Sequence, residues 1–197
     1  MAPCKEVRRL TACLTMWYGW IVSENLGGII IGFGNMGHVH QYAMDVCRVE
    51  TLAIIDNNPK LTGEPAIYPS LEVYDGPVPD LVIISSPTYE HIVHTQDIID
   101  RFGMVGLRGV LLEKPPVRTV EEVARLRELS RRFGHIMVGE VEHYNPALGG
   151  LANFPGRPLS ATFNRQVNLE YFLRGARPWF LDESKSGGIV LDMMIHD

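Results

Sequence analysis

Five short apolar runs punctuate the first three-quarters of the chain, and several of the segments between them carry apolar residues at helical spacing. The runs are Gly28-Ile29-Ile30-Ile31, Thr51-Leu52-Ala53-Ile54-Ile55, Asp80-Leu81-Val82-Ile83-Ile84-Ser85-Ser86, Gly109-Val110-Leu111-Leu112 and Ile136-Met137-Val138-Gly139. Short and rich in β-branched or aliphatic residues, they predict buried strands. After the first run, Met36, Val39, Ala43, Val46 and Cys47 recur three or four residues apart, which predicts a helix packed on a sheet by one face. A second helix is predicted over 89–102, with Ile92, Val93, Ile98, Ile99 and Phe102 inward and Gly103 as its stop. The third is the best marked. Thr119 stands at its N-cap and Glu121 and Glu122 in its first turn; Val120, Val123, Leu126 and Leu129 line its apolar stripe. Arg131-Arg132 occupy the last turn and Gly134 ends it. Between Lys60 and Pro79 the glycines and prolines leave room for only a short crossover helix. Strand and helix thus alternate, the pattern of an α/β fold with a doubly wound parallel sheet.

The pattern changes at Asn145-Pro146. Residues 27–145 read as one domain, and 146–197 as the start of an α+β domain, with a loosely alternating stretch at 160–169 and a helix over 186–197 that meets the chain end without a cap. That second domain is therefore expected to be truncated. Residues 1–26 read as an extension. Lys5, Arg8 and Arg9 before the apolar run 10–22 resemble the charged and apolar parts of a leader, yet the run is too short to span a bilayer and no small-residue cleavage site stands clear of the first strand.

Composition narrows the class. With 197 residues, 46% of them hydrophobic, the chain can bury a good core. A formal charge of −5, without a Lys/Arg block, disfavours nucleic acid, and nothing reads as a membrane span. The cysteines Cys4, Cys13 and Cys47 are odd in number and form no C-x-x-C pair, which fits reduced thiols in a cytoplasmic protein.

The first candidate chemistry lies between the first strand and first helix, at Gly32-Phe33-Gly34-Asn35-Met36-Gly37. In this setting a G-x-G-x-x-G predicts a dinucleotide turn. Gly32 permits the turn, Gly34 lets backbone approach a pyrophosphate, Gly37 lets helix and strand pack closely, and the helix N-terminus offers N–H groups to the phosphates. Asp56 ends the second strand about twenty residues on, where a carboxylate accepts from ribose hydroxyls; this favours NAD over NADP.

Taken together, the glycine turn, Ser86-Pro87-Thr88 with His91, Glu113-Lys114-Pro115, the stretch from Gly139-Glu140 to Asn145-Pro146, and Gly187-Gly188 leading to Asp192 and His196-Asp197 resemble the Gfo/Idh/MocA oxidoreductases across residues 27–197. The resemblance implies a Rossmann domain followed by an α+β domain, a homo-oligomer in the full-length form, and hydride transfer between NAD(P) and a hydroxyl of a sugar, nucleotide sugar or cyclitol. It places Gly32, Phe33, Gly34, Asn35, Met36, Gly37, Asp56, Ser86, Pro87, Thr88, His91, Glu113 and Lys114 at the cofactor. It also marks Lys114, Asp192 and His196 as catalytic. Their chemistry agrees, since oxidising a secondary alcohol needs a group to take the hydroxyl proton, and lysine or an oriented histidine does so near neutral pH. Asp192 and His196 are spaced i, i+4, so on a helix the carboxylate faces the imidazole. The same spacing would suit two metal ligands, but no third ligand stands nearby and no metal is expected. His38, His40, His94 and His135 read as solvated or structural.

Overall fold

The computed structural model describes residues 25–144, together with 156, 179 and 182–188. Six strands, β1 (Gly27–Ile31), β2 (Glu50–Ile55), β3 (Ala66–Tyr68), β4 (Leu81–Ile84), β5 (Gly109–Leu112) and β6 (Ile136–Val138), form one sheet in the order β3-β2-β1-β4-β5-β6. Every neighbouring pair is parallel. Helices α1 (Asn35–Val46), α2 (His91–Phe102) and α3 (Val120–Phe133) make the crossovers, so this is the expected doubly wound Rossmann-type fold. The α+β part lies outside the described residues, apart from a four-residue helix α4 (Glu183–Ser186).

Strand alternation sorts the core into two layers. Ile29, Ile31, Val82, Ile84, Val110 and Leu112 face one side with Ile98 and Phe102 of α2. Ile30, Leu81, Ile83 and Leu111 face the other with Ala43 and Met44 of α1. The central strands β1, β4 and β5 are buried along their whole length, as a sheet covered on both faces requires.

Helix α3 is written as expected. The Thr119 hydroxyl accepts from the Glu122 N–H at 3.3 Å, and Gly134 ends the helix in the left-handed region at φ 85°. Three inward assignments are corrected. Val46, Val93 and Val120 are exposed, at 48%, 58% and 80%. Each lies beyond the arc its helix turns to the sheet, and the burial of His40, His91 and Thr95 shows that polar residues occupy part of that arc instead.

The segment between β2 and β4 holds no α-helix, only a single 3₁₀ turn over Leu71–Val73, in keeping with the short crossover expected. Its edge strand β3 has no signal in the sequence, because three residues between prolines carry no readable period, and pairing with β2 makes them a strand. Tyr74 plugs the face a helix would have covered. It is 2% exposed, its hydroxyl donates to the Pro77 carbonyl at 2.6 Å, and its ring meets Tyr68 and Phe102 edge-on at 5.1 and 6.2 Å. The Arg101 guanidinium donates to the Leu71 and Tyr74 carbonyls and closes the loop over it.

Tyr74→Ala is expected to lower the unfolding free energy by about 3–5 kcal/mol. Removing the helix cap with Thr119→Ala costs about 1 kcal/mol. Urea denaturation of both variants compares them directly, and equal losses would show that Tyr74 does not substitute for a crossover helix.

Candidate functional site

The crossovers reverse direction between β1 and β4, the central pair of the sheet, and the crevice this leaves lies at the carboxyl ends of the strands. The turn after β1 fills its floor. Gly32 sits at φ 85°, and a Cβ there would lie 2.4 Å from the Ser86 amide nitrogen, so only glycine lets the ends of β1 and β4 meet. A Cβ on Gly37 would lie 2.5 Å from the Gly32 carbonyl oxygen, which seats α1 directly on the turn. The turn is further held by Gly32 N–H to the Ile55 carbonyl at 2.8 Å and the Ser85 hydroxyl to the Gly32 carbonyl at 2.7 Å. Gly34 is the N-cap of α1. No side chain caps this helix and its first turn has no acidic residue, so a backbone cradle with the positive end of a 12-residue helix faces the crevice. These features fit a pyrophosphate.

Asp56 stands beside that cradle and also shapes it. Its Oδ2 accepts from Phe33 N–H at 2.6 Å and its Oδ1 from Asn58 N–H at 2.8 Å. A carboxylate has about four acceptor sites, so ribose hydroxyls would add to these bonds rather than replace them.

At the end of β5, Lys114 is half-buried and its neighbours are held on both sides. The Glu113 carboxylate, 5% exposed, accepts from His40 Nε2 at 2.7 Å and from Lys114 N–H at 3.1 Å. Burial opposes its charge, but the hydrogen bond and charge of His40, with the Lys114 amide and ammonium, outweigh burial and keep its carboxyl below the usual range. On the other side, the Pro115 carbonyl lies 3.0 Å from His91 Nδ1, whose ring reaches the Ser86 carbonyl through Nε2 at 2.9 Å.

Two of the residues expected at the cofactor carry buried side chains. His91 is 1% exposed and its two ring nitrogens lie near backbone carbonyls of β4's end and of the lysine segment. Glu113 likewise points inward, because strand alternation sends it to the α1 side with Leu111. Burial pushes the His91 pKa below the ordinary imidazole value against the pull of the Ser86 carbonyl, Glu113 and Pro115. His94 is lowered by the same cause, and its Nδ1 lies 2.9 Å from the Ser86 hydroxyl. Ser86 and Thr88 are 8% and 4% exposed, and the half-buried Pro87 lies between them.

Near Lys114, Arg118 donates to the Ser184 carbonyl at 2.8 Å, and Tyr89 meets the Trp179 ring at 6.4 Å. This brings α4 beside the segments that follow β4 and β5. The helix expected from Ser186 onward is corrected at its start, because Gly187 and Gly188 at φ 82° and 89° end α4 rather than open a longer helix. Asp192 and His196 lie outside the described residues. Among the described residues no cluster of His, Cys, Asp or Glu could hold a metal ion, and no helix is long and apolar enough to cross a membrane.

The contact of His40 with Glu113 is not among the expectations drawn from the sequence, where His40 is one of the solvated or structural histidines. The signal was present in the four-residue steps Met36, His40 and Met44, which put an imidazole on the sheet-facing side of α1.

The family model described as "Oxidoreductase family, NAD-binding Rossmann fold", Gfo/Idh/MocA, matches residues 27–140. The chain belongs to this NAD-binding family. No curated protein matches it in sequence. Among solved structures, the WlbA (WbpB) dehydrogenase from Thermus thermophilus, in complex with NAD and UDP-GlcNAcA, is similar at TM-score 0.66 and 23% identity over 87% of this chain and 60% of that one. UDP-N-acetylglucosamine 3-dehydrogenase GnnA from Acidithiobacillus ferrooxidans follows at 0.63 and 21%, over 88% and 55%. The transcriptional regulator Gal80p from a Kluyveromyces yeast is similar at 0.54 and 16%, over 66% and 37%. The Gfo/Idh/MocA chain thus spans only 60% and 55% of the first two, and these likenesses establish the shared fold.

Gly32→Ala is expected to lower stability by about 2–4 kcal/mol, from overpacking plus the left-handed backbone. It should also weaken NADH binding at least about tenfold. Nicotinamide fluorescence with urea denaturation reads both, and wild-type affinity in the variant would contradict the cradle. The histidines set a pH dependence. Because His91 and His94 titrate lower folded than unfolded, the unfolded chain takes up protons first as pH falls below about 6.5. Stability should therefore fall from pH 7.5 to 5.5, by up to about 1.4 kcal/mol per pH unit for each histidine. A flat urea midpoint over that range would contradict the lowering of their titration by burial.

Proposed function

We propose that the protein is an NAD-dependent oxidoreductase that moves a hydride between nicotinamide and a secondary hydroxyl of a sugar, nucleotide sugar or cyclitol. The observation that carries this reading is Lys114, held at the end of β5 on the same sheet edge as the Gly32 turn. Bound NAD supplies the hydride acceptor. The protein's own part is to hold the pyrophosphate on the turn and the N-terminus of α1, to accept ribose hydroxyls at Asp56, and to manage the hydroxyl proton. Lys114 takes or shares that proton as the C–H bond breaks, with His196, oriented by Asp192, as its partner. Ser86, Pro87 and Thr88 close the nicotinamide side. Asp56, followed by Asn57 and Asn58, favours NAD, since a carboxylate repels a 2′-phosphate.

Nucleotide sugars are the first substrates to try, because one structurally similar dehydrogenase is in complex with NAD and UDP-GlcNAcA and another is a UDP-N-acetylglucosamine 3-dehydrogenase. A second reading, a dinucleotide-dependent regulator without turnover, draws support from the likeness to Gal80p.

Lys114→Ala separates the two. It should abolish turnover of NAD with a nucleotide sugar, a loss of at least about a hundredfold, while NADH affinity changes less than about threefold. Unchanged turnover would remove Lys114 from the chemistry. Titration with NADH and NADPH should show NADH binding at least about tenfold tighter, and the reverse order would overturn the reading of Asp56.

A further inference from the structure

We propose that His40 is a positioning residue for Lys114, acting through the buried Glu113 carboxylate to fix the lysine's main chain at the sheet edge. The catalytic consequence rests on the oxidoreductase reading above; the structural link does not. His40 is fully buried on α1, three residues beyond Gly37, and its Nε2 lies 2.7 Å from Glu113 Oε1. Because an ionised carboxylate only accepts, the shared hydrogen sits on Nε2. The other oxygen, Oε2, accepts from Lys114 N–H at 3.1 Å. One carboxylate therefore joins the helix that opens the dinucleotide turn to the main chain of the lysine.

The surroundings are built for that carboxylate. A Cβ on Gly139 would lie 3.2 Å from Glu113 Oε1, so glycine leaves the space, while Gly139 N–H holds the Leu112 carbonyl at 2.8 Å. Glu113 N–H donates to the Ile84 carbonyl at 2.9 Å, which fixes the residue between β4 and β6. On the far side, His91 Nδ1 lies 3.0 Å from the Pro115 carbonyl oxygen. Buried histidines from two different helices thus flank the lysine segment.

Packing alone does not call for such a pair. Apolar side chains of the same volume fill a core at least as stably as a buried polar pair, and His40 Nδ1 carries the further cost of having no hydrogen-bond partner among the described residues. What the pair supplies, and an apolar pair would not, is an acceptor aimed at the Lys114 amide.

The test uses the full 197-residue chain, labelled with ¹⁵N, in three forms besides wild type. His40→Leu removes the donor, His40→Gln returns an N–H near the position of Nε2, and Glu113→Gln keeps an acceptor for His40 but turns an NH₂ group toward Lys114 N–H. His40→Leu should shift the Lys114 amide resonance and raise its hydrogen exchange at least about tenfold. With NAD and UDP-N-acetylglucosamine it should lower kcat at least about tenfold while KM for NAD stays within about threefold, and His40→Gln should restore both readouts. Glu113→Gln should reproduce the amide effect, so the claim stays testable if the leucine variant does not fold. An unmoved Lys114 amide in the folded variants overturns the proposal, as does a kcat loss that glutamine fails to restore. If wild type turns over no nucleotide sugar, the substrate reading fails, and the amide exchange alone decides the role of His40.

Discussion

The structure depends on the contact between Gly32 and Ser86. At the centre of the sheet the chain must turn sharply out of β1 while β4 runs alongside, and the two backbones come closer there than any side chain allows. Glycine at φ 85° makes the turn possible, and the turn in turn aims α1 at the crevice. A methyl group at that point would part the two central strands and tilt the helix whose N-terminus forms the anion cradle. Fold and candidate site share this one constraint.

From it follows a division of labour between the two faces. The α2 side is almost wholly apolar near the sheet centre, with Ile29, Val82, Ile84, Val110 and Leu112. The α1 side is apolar up to Leu111 and then admits a charge, because the next residue on that face is Glu113 and helix α1 brings His40 to meet it. Among the described residues, buried polar side chains gather toward the carboxyl edge, where His91 and Ser86 join them and the Ser86 hydroxyl meets the half-buried His94. The stable core thus ends where the chemistry is proposed to begin, and the lysine stands on that border.

Much of this was legible in the residues. The strands β1, β2, β4, β5 and β6 show as short apolar runs, and for β1, β4 and β5 burial on both faces leaves no other pattern; α3 carries its cap, its dipole charges and its glycine stop in plain view. The glycine turn, Asp56 and the Glu113-Lys114-Pro115 segment stand out in the sequence for the same reason, since each sets particular residue types at fixed places at the ends of strands. What escaped notice was set by tertiary pairing. β3 is a strand only because β2 lies beside it, and Tyr74 replaces a helix from within a segment whose prolines advertise a loop. The partners of His40 and His91 are not legible, since nothing local says that a histidine will meet a carboxylate 73 residues away or a carbonyl 24 residues away. Asp192 and His196 lie outside the described residues, so the proton partner of Lys114 rests on their spacing and on family resemblance.

The central claim is that the carboxyl edge of this sheet receives the dinucleotide and that Lys114 shares that edge. Mapping backbone amide shifts of the labelled chain during titration with NAD tests it most directly. The account predicts the largest changes over residues 33–37, with further changes at Asp56, Ser86 and Lys114. Changes confined to the opposite edge, around Asp80, Arg108 and His135, or no changes at saturating NAD, would contradict it.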